Sequence, residues 1–220
     1  MALIMYLTKA PKYQNIVTDE YETIPRDDIV LIDKYFNWKR AKAEGRNSGD
    51  TLEEWCGIPE SQLASTYVVN HYSNFYEKKT VYHEHIGEVE VYSVFDQLAR
   101  IVKANQIFRW FIENVMSGKP DDQYHEVSAK QLFDLLSACK VVKKGFQLTE
   151  HDPYYGDKYS VNEKVAHKYL PLLEEQGYFF GTNEYGFNYA TNVIDTIDIL
   201  ENILKTTNFE QETVYFNATW

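Results

Sequence analysis

The sequence predicts an α+β fold: one predominantly helical domain with a small sheet built from terminal and middle strands. Three observations carry this. Long stretches repeat apolar residues at helical spacing, as in Leu98, Ile101, Asn105, Phe108, Ile112 and Val115, or Tyr189, Val193, Ile197, Leu200 and Leu204. Both chain ends alternate in the manner of strands, and residues 66–91 hold β-leaning pieces such as "TYVV" and "TVYHEH". No internal repeat, low-complexity tract or linker divides the 220 residues, so one domain is expected, with 1–90 its more variable part.

The elements follow in order. "LIMYLTK" reads as a first strand over Leu3 to Lys9 rather than a signal peptide, because no basic region precedes its short apolar run. Residues 27–44 place Ile29, Ile32, Phe36 and Ala43 near one helical face, with acids first and bases later, and Gly45 closes them. Thr51 and Glu54 stand at capping-box spacing before a short helix ending at Gly57. The strongest helical pattern spans about Val91 to Ser117, stopped by Gly118-Lys119-Pro120. Ser128 and Gln131 form another capping box, and their helix turns Leu132, Leu135, Leu136, Cys139 and Val142 inward. "TEHDPYYGDKYS" has the composition of a loop.

A further helix is expected from about Val161 to Gly177, broken by Pro171 near Leu170. Within "GYFFGTNEYG" (177–186), Gly177 reads as a C-cap, Tyr178 to Phe180 as a short strand, Gly181 as a turn, and Thr182 or Asn183 as the next N-cap. That places Glu184 in the first helical turn, where it opposes a bound anion. The favoured reading is a packed junction in which Glu184 reaches Asn105 or a basic group. The tail alternates Val214, Phe216 and Ala218 against Tyr215 and Asn217, and reads as a closing strand.

Composition restricts function. A net charge of −11 opposes nonspecific nucleic-acid binding, and no run of like charge is long enough to mimic a phosphate stripe. Eighteen tyrosines and twelve phenylalanines predict an aromatic core margin or an aromatic-lined surface. Cys56 and Cys139 lie far apart and read as free thiols of a reducing cytosol, where the acceptor pattern Asn217-Ala218-Thr219 carries no meaning. No stretch approaches a membrane span.

Candidate chemistry is sparse. His83 and His85 would share one face of a strand and could take a metal with a carboxylate such as Glu84, but no HExxH or second histidine pair supports this. The favoured reading has no metal, no cofactor and no catalytic residue. Walker, GxGxxG and GxSxG patterns are missing, and Cys139 sits on an apolar face as an inert thiol. Asn105 falls in an apolar stripe, so its amide is read as a buried polar knot, with ligand contact as the alternative. Lys103, Arg109 and Trp110 lie near it and could form a cation-and-indole platform for a nucleotide, or a packed ring under a snorkelling chain.

"VKANQIFRWFIENVMSGKPDD" (102–122) and "QGYFFGTNEYGFNYATNVIDTIDILENIL" (176–204), with the shorter "IMYLTK" near the start, resemble a family of small, functionally uncharacterised bacteriophage proteins. Its pattern runs Arg-Lys-Ala-Asn-x-Ile-His-x-Trp-Phe-Val and later Gly-Phe-Phe-Phe-Gly-Ser-Thr-Glu-Tyr-Asp. The resemblance marks Lys103, Ala104, Asn105, Ile107, Trp110, Phe111, Phe179, Phe180, Gly181, Glu184 and Tyr185. Phe108 replaces the family's histidine, Val102 its first arginine and Gly186 its aspartate, so chemistry resting on that histidine or aspartate is not expected here. The stretch between Pro171 and the aromatic run is also longer than the family's.

The resemblance implies a phage protein at work in the host cytoplasm. Together with the acidic, aromatic-rich chain it favours a non-enzymatic accessory protein that antagonises host defence by binding a host protein or a nucleotide-like ligand. Homo-oligomers remain open. The binding residues expected are Lys103, Asn105, Arg109, Trp110, Glu184 and Tyr185. The competing readings are a metal-dependent hydrolase using His83 and His85, and a virion or assembly component.

Overall fold

The computed structural model describes residues 2–14, 21–23, 38, 41–42, 45, 51, 54, 77–83, 87–93, 96–152, 156–173 and 180–220. Among these residues run β1 (Ile4–Pro11), β2 (Tyr13–Gln14), β3 (Tyr21–Glu22), β4 (Glu77–His83), β5 (Gly87–Ser93) and β6 (Asp96–Val102). Then come α1 (Asn105–Asn114), β7 (His125–Val127), α2 (Ala129–Lys143), β8 (Gln147–Asp152) and β9 (Gly156–Ser160). The order closes with α3 (Glu163–Tyr169), α4 (Phe187–Thr206) and β10 (Glu212–Thr219). The fold class is α+β. Two compact units emerge, one of Met1–Thr8, Gln97–Phe209 and Val214–Trp220, the other of Lys9–Asp96 and Glu210–Thr213.

The first unit holds the main core. A four-stranded sheet runs in the order β6-β1-β10-β7, so the two terminal strands lie side by side at its centre. Strand alternation sends Leu3, Met5 and Leu7 to one buried face of β1. Val214, Phe216 and Ala218 do the same from β10, which pairs antiparallel with β7 through Val214↔Val127 and Phe216↔His125. Helix α1 contributes Ile107, Phe108, Phe111 and Ile112, and the Phe111 ring stacks on Phe216 at 3.9 Å and 7°. The α2 stripe of Leu132, Leu135, Leu136, Cys139 and Val142 is buried as its spacing predicts. So is the α4 stripe, where Ile203 takes the fully buried place expected of Leu204.

Caps fix the helix ends. Ser128 accepts from the Gln131 N–H while the Gln131 side chain accepts from the Ser128 N–H at 3.0 Å, a complete capping box. Asn162 caps α3 through Val165 N–H, and the helix stops at Leu170 ahead of Pro171. Of the expected Gly177 cap and the strand over Tyr178 to Phe180, Gly177, Tyr178 and Phe179 lie outside the described residues, and Phe180 is not in a strand.

In the second unit, β4 and β5 form an antiparallel hairpin from Glu77↔Ser93 to His83↔Gly87, and β2 pairs with β3. An ion pair joins Lys9 to Glu212, and the Lys12 N–H donates to the Gln211 carbonyl at 2.8 Å. The Thr51–Glu54 capping box is present. Of the expected helix over 27–44, only Trp38, Ala41 and Lys42 are described, and all three are helical. Gly45 follows in a turn at φ +70°.

Three segments differ from the sequence-based expectation. The long helix over Val91 to Ser117 is a strand, a break and a helix of only ten residues. Leu98, Ile101 and Asn105 happen to fit a helical stripe, but β6 buries Ala99 and Ile101 and exposes Arg100, a period of two. The loop expected over 149–160 is the β8–β9 hairpin, polar because its side chains pair across the strands. Lys158 meets Glu150 at 2.8 Å and His151 meets Asp157 at 2.5 Å. Finally, β10 buries Tyr215 as well as Val214 and Phe216, so it is covered on both faces in mid-sheet.

The Phe111–Phe216 stack makes a direct prediction. Phe111→Ala should lower unfolding free energy by about 3–5 kcal/mol. Phe133→Ala, at a side chain 60% exposed on α2, should change it by under about 0.5 kcal/mol. Urea titrations of both variants provide the check.

Candidate functional site

The two sequence blocks meet at one point. Strand β6 ends at Val102, where Lys103 N–H still donates to the Leu3 carbonyl at 3.0 Å. Lys103 then turns into left-handed backbone at φ +56°, a strained state for a lysine. Ala104 follows, bridging antiparallel to Gly181, and α1 starts at Asn105. Gly181 is required there. Its φ is +114°, and a Cβ would lie 2.0 Å from the Lys103 carbonyl oxygen.

Side chains lock the crossing. Asn105 is fully buried, and its amide donates to the Thr182 carbonyl at 2.5 Å. The amide of Asn192, from the second turn of α4, donates to the Lys103 carbonyl at 3.3 Å. Thr182 in turn accepts from the Glu184 N–H at 3.3 Å. Asn105 is thus a buried polar knot, and the group to which its amide donates is the Thr182 carbonyl.

Helix α4 starts later than expected. Its N-cap is Gly186, without a side-chain cap, instead of Thr182 or Asn183. Glu184 therefore precedes the helix and is exposed, and the first turn of α4 carries no acid. Local turn bonds from the Thr182 hydroxyl delay the helix, as short hydroxyl side chains can.

The other expected binding residues have structural partners. Arg109 donates through Nε to Glu113 at 2.7 Å and through its guanidinium to the Leu172 carbonyl at 2.7 Å. The Tyr185 hydroxyl lies 3.2 Å from His167 Nδ1 and accepts from the Leu172 N–H at 3.5 Å. Its ring meets Tyr189 edge-on at 5.1 Å, and the Tyr189 hydroxyl donates to the Leu170 carbonyl at 2.9 Å. Trp110 packs edge-on against Phe111 at 5.4 Å. Phe108 is buried against Phe180 and Trp220. These groups clamp the backbone after α3 to the helix pair.

One expected residue faces an open cleft. A depression of about 420 Å³ is lined by Val102, Lys103, Gly181, Thr182, Asn188 and Asn192. Among its described lining residues, Lys103 is the charged one, and Asn188 and Asn192 carry carboxamides. Sequence reasoning misses Asn188 and Asn192, although their i, i+4 spacing puts them on one face of α4. A second depression, about 410 Å³, is lined by Asp121, Asp122, Thr219 and Trp220. There, Asp121 Oδ1 already accepts from the Gln123 N–H at 2.9 Å and lies 2.6 Å from His125.

The reactive groups of the core are muted. Burial pushes the Cys139 thiol up to about 12, and the same cause, followed by the nearby Tyr185 and Cys139, raises the Tyr189 phenol. Among the described residues no three His, Cys, Asp or Glu side chains group as a metal site, and no helix is long and apolar enough to cross a membrane. His85 and the His83 side chain lie outside the described residues. No protein-family model, curated protein or solved structure matches the chain.

Two outcomes follow. Gly181→Ala should cost on the order of 3–4 kcal/mol or abolish folding, because backbone stands where its methyl would go. Gly118→Ala, at φ +79° with nothing within 4 Å, should cost only about 1–2 kcal/mol. Chemical denaturation ranks the pair. The thiol sets a pH dependence. The unfolded chain releases the Cys139 proton above about pH 9, whereas the fold retains it to about 12. Stability is therefore whole below pH 9 and falls through that window, by up to about 4 kcal/mol for this group. Cys139→Ala should start less stable at pH 7 and decline less steeply from pH 9 to 11, read from urea midpoints at each pH.

Proposed function

We propose that this chain is a phage-encoded accessory protein that acts in the host cytoplasm by binding a host factor, a protein or a nucleotide-like molecule, and so antagonises host defence. The observation that carries this reading is the meeting of both phage-like blocks at the Lys103–Gly181 crossing, with an open polar cleft at that point. Packing alone explains Asn105, Gly181, Phe111 and Tyr185. Beside the same crossing lies a depression of about 420 Å³, within the range of about 300–1,000 Å³ that small-molecule sites span.

The muted core groups agree with binding rather than turnover. The Cys139 thiol is a poor nucleophile at neutral pH, and Arg109, Tyr185 and Tyr189 are held in bonds to backbone or neighbouring side chains. Native mass spectrometry of the protein isolated gently from infected cells tests the proposal. A bound molecule or partner should add mass to the wild type and be lost from Lys103→Gln. The bare chain mass in both samples would overturn it.

A further inference from the structure

Resting on that reading but on different residues, we infer that the lysines where α2 ends and α3 begins form a docking surface for an acidic segment of a protein partner. The first observation is where positive charge collects. The chain carries a net charge of −11, yet "KVVKKG" (140–145) and "EKVAHKY" (163–169) hold Lys140, Lys143, Lys144, Lys164 and Lys168 against the single acid Glu163. The fold brings these stretches together. Gly145, just beyond α2, stands so close to Asn162, the N-cap of α3, that an added Cβ would lie 3.0 Å from the Asn162 Cβ. Lys143 and Lys144 directly precede that contact, Lys164 follows it by two residues, and Lys168 stands one helical turn further along α3.

The second observation is availability. Lys143, Lys144, Lys164 and Lys168 are all exposed. Lys140 is paired with Glu201 at 2.6 Å, whereas none of these four forms an ion pair among the described residues. Lys143 acts on Glu201 through its field alone. Lys168 lies over the Tyr169 ring at 5.1 Å, which keeps its charge and sets an exposed aromatic beside it.

The third is that the helices do not ask for all of this charge. Lysines in the last turn of α2 suit its negative end, but Lys164 stands in the first turn of α3, where a cation opposes the helix dipole. Like charges gathered in this way repel one another, and an acidic partner relieves that cost. At physiological salt charges act over only about 8 Å, so a short acidic segment responds to the lysines more than to the net charge. The continuous charge of a nucleic acid runs past them onto an otherwise acidic chain and is repelled.

Fluorescence anisotropy of a labelled oligoglutamate peptide, titrated with the full chain at low salt, tests this. The oligoglutamate should bind more tightly than an oligoglutamine or an oligothymidylate of equal length, and molar salt should abolish the difference. The double variant Lys144→Gln with Lys164→Gln should weaken it about fivefold, as loss of two exposed ion pairs does. Its melting temperature should not fall, because Lys164 opposes the dipole of its own helix. Lys119→Gln, at an exposed lysine outside both stretches, should leave binding unchanged. Equal binding of oligoglutamine, or full affinity in the double variant, would overturn the inference. Tighter binding of oligothymidylate would overturn it in favour of a nucleic acid. If the oligoglutamate does not bind while native mass spectrometry shows a partner, this inference fails and the broader function stands. Bare mass together with no binding removes both.

Discussion

The crossing of Lys103–Ala104 under Gly181 is the constraint on which the main unit depends. Two backbones approach so closely there that the methyl of an alanine would overlap a carbonyl oxygen at 2.0 Å. The approach lets β6 pair with β1 up to Lys103 and then release directly into α1. It also anchors the start of α4, because Asn105 holds Thr182 and Asn192 holds Lys103. Two left-handed residues and two carboxamide hydrogen bonds thus tie a sheet edge to two helices. Strain at Lys103 persists because its carbonyl and N–H are both engaged.

Around that point the protein uses tyrosine and arginine as backbone clamps. Residues 170–172 follow a helix that a proline stops, so the Leu170 carbonyl and both backbone groups of Leu172 lack helical partners. Arg109 and Tyr189 satisfy carbonyls at Leu172 and Leu170, and Tyr185 accepts from the Leu172 N–H. A tyrosine suits this role: its ring packs in the core while its hydroxyl reaches a buried acceptor. The aromatic richness of the sequence is explained here by interior work as much as by any surface.

Helices α2, α3 and α4 and the Ser128 cap were legible in the sequence because their signals are local, whereas the N-cap of α4 was not. The Ser128 box, the α2 and α4 stripes and the stop before Pro171 each depend on residues within a few positions of one another. Strands inside mixed patterns were not. Residues 96–102 satisfy a helical template by accident, and only the pairing of β6 with β1, far away at the start of the chain, decides the matter. The β8–β9 hairpin was hidden for a related reason, since its alternate residues form ion pairs instead of an apolar face. For the candidate site, residues from the two quoted sequence blocks meet at the Lys103–Gly181 crossing. There Lys103 both lines the cleft and holds the crossing through its backbone, whereas Arg109 and Tyr185 hold the backbone after α3.

That separation bears on how such a site can change without loss of the fold. Gly181 and Asn105 are fixed by packing, and Asn192 serves both the crossing and the cleft, so each resists substitution on structural grounds. Asn188 is exposed and points its helix position at the same depression. Surface positions away from caps and buried bonds tolerate exchange within about 0.5 kcal/mol. The segment 181–186, with a glycine at each end, serves both fold and site. It leaves room for a backbone crossing, starts α4 without an acid in its first turn, and keeps Glu184 out of the cleft lining.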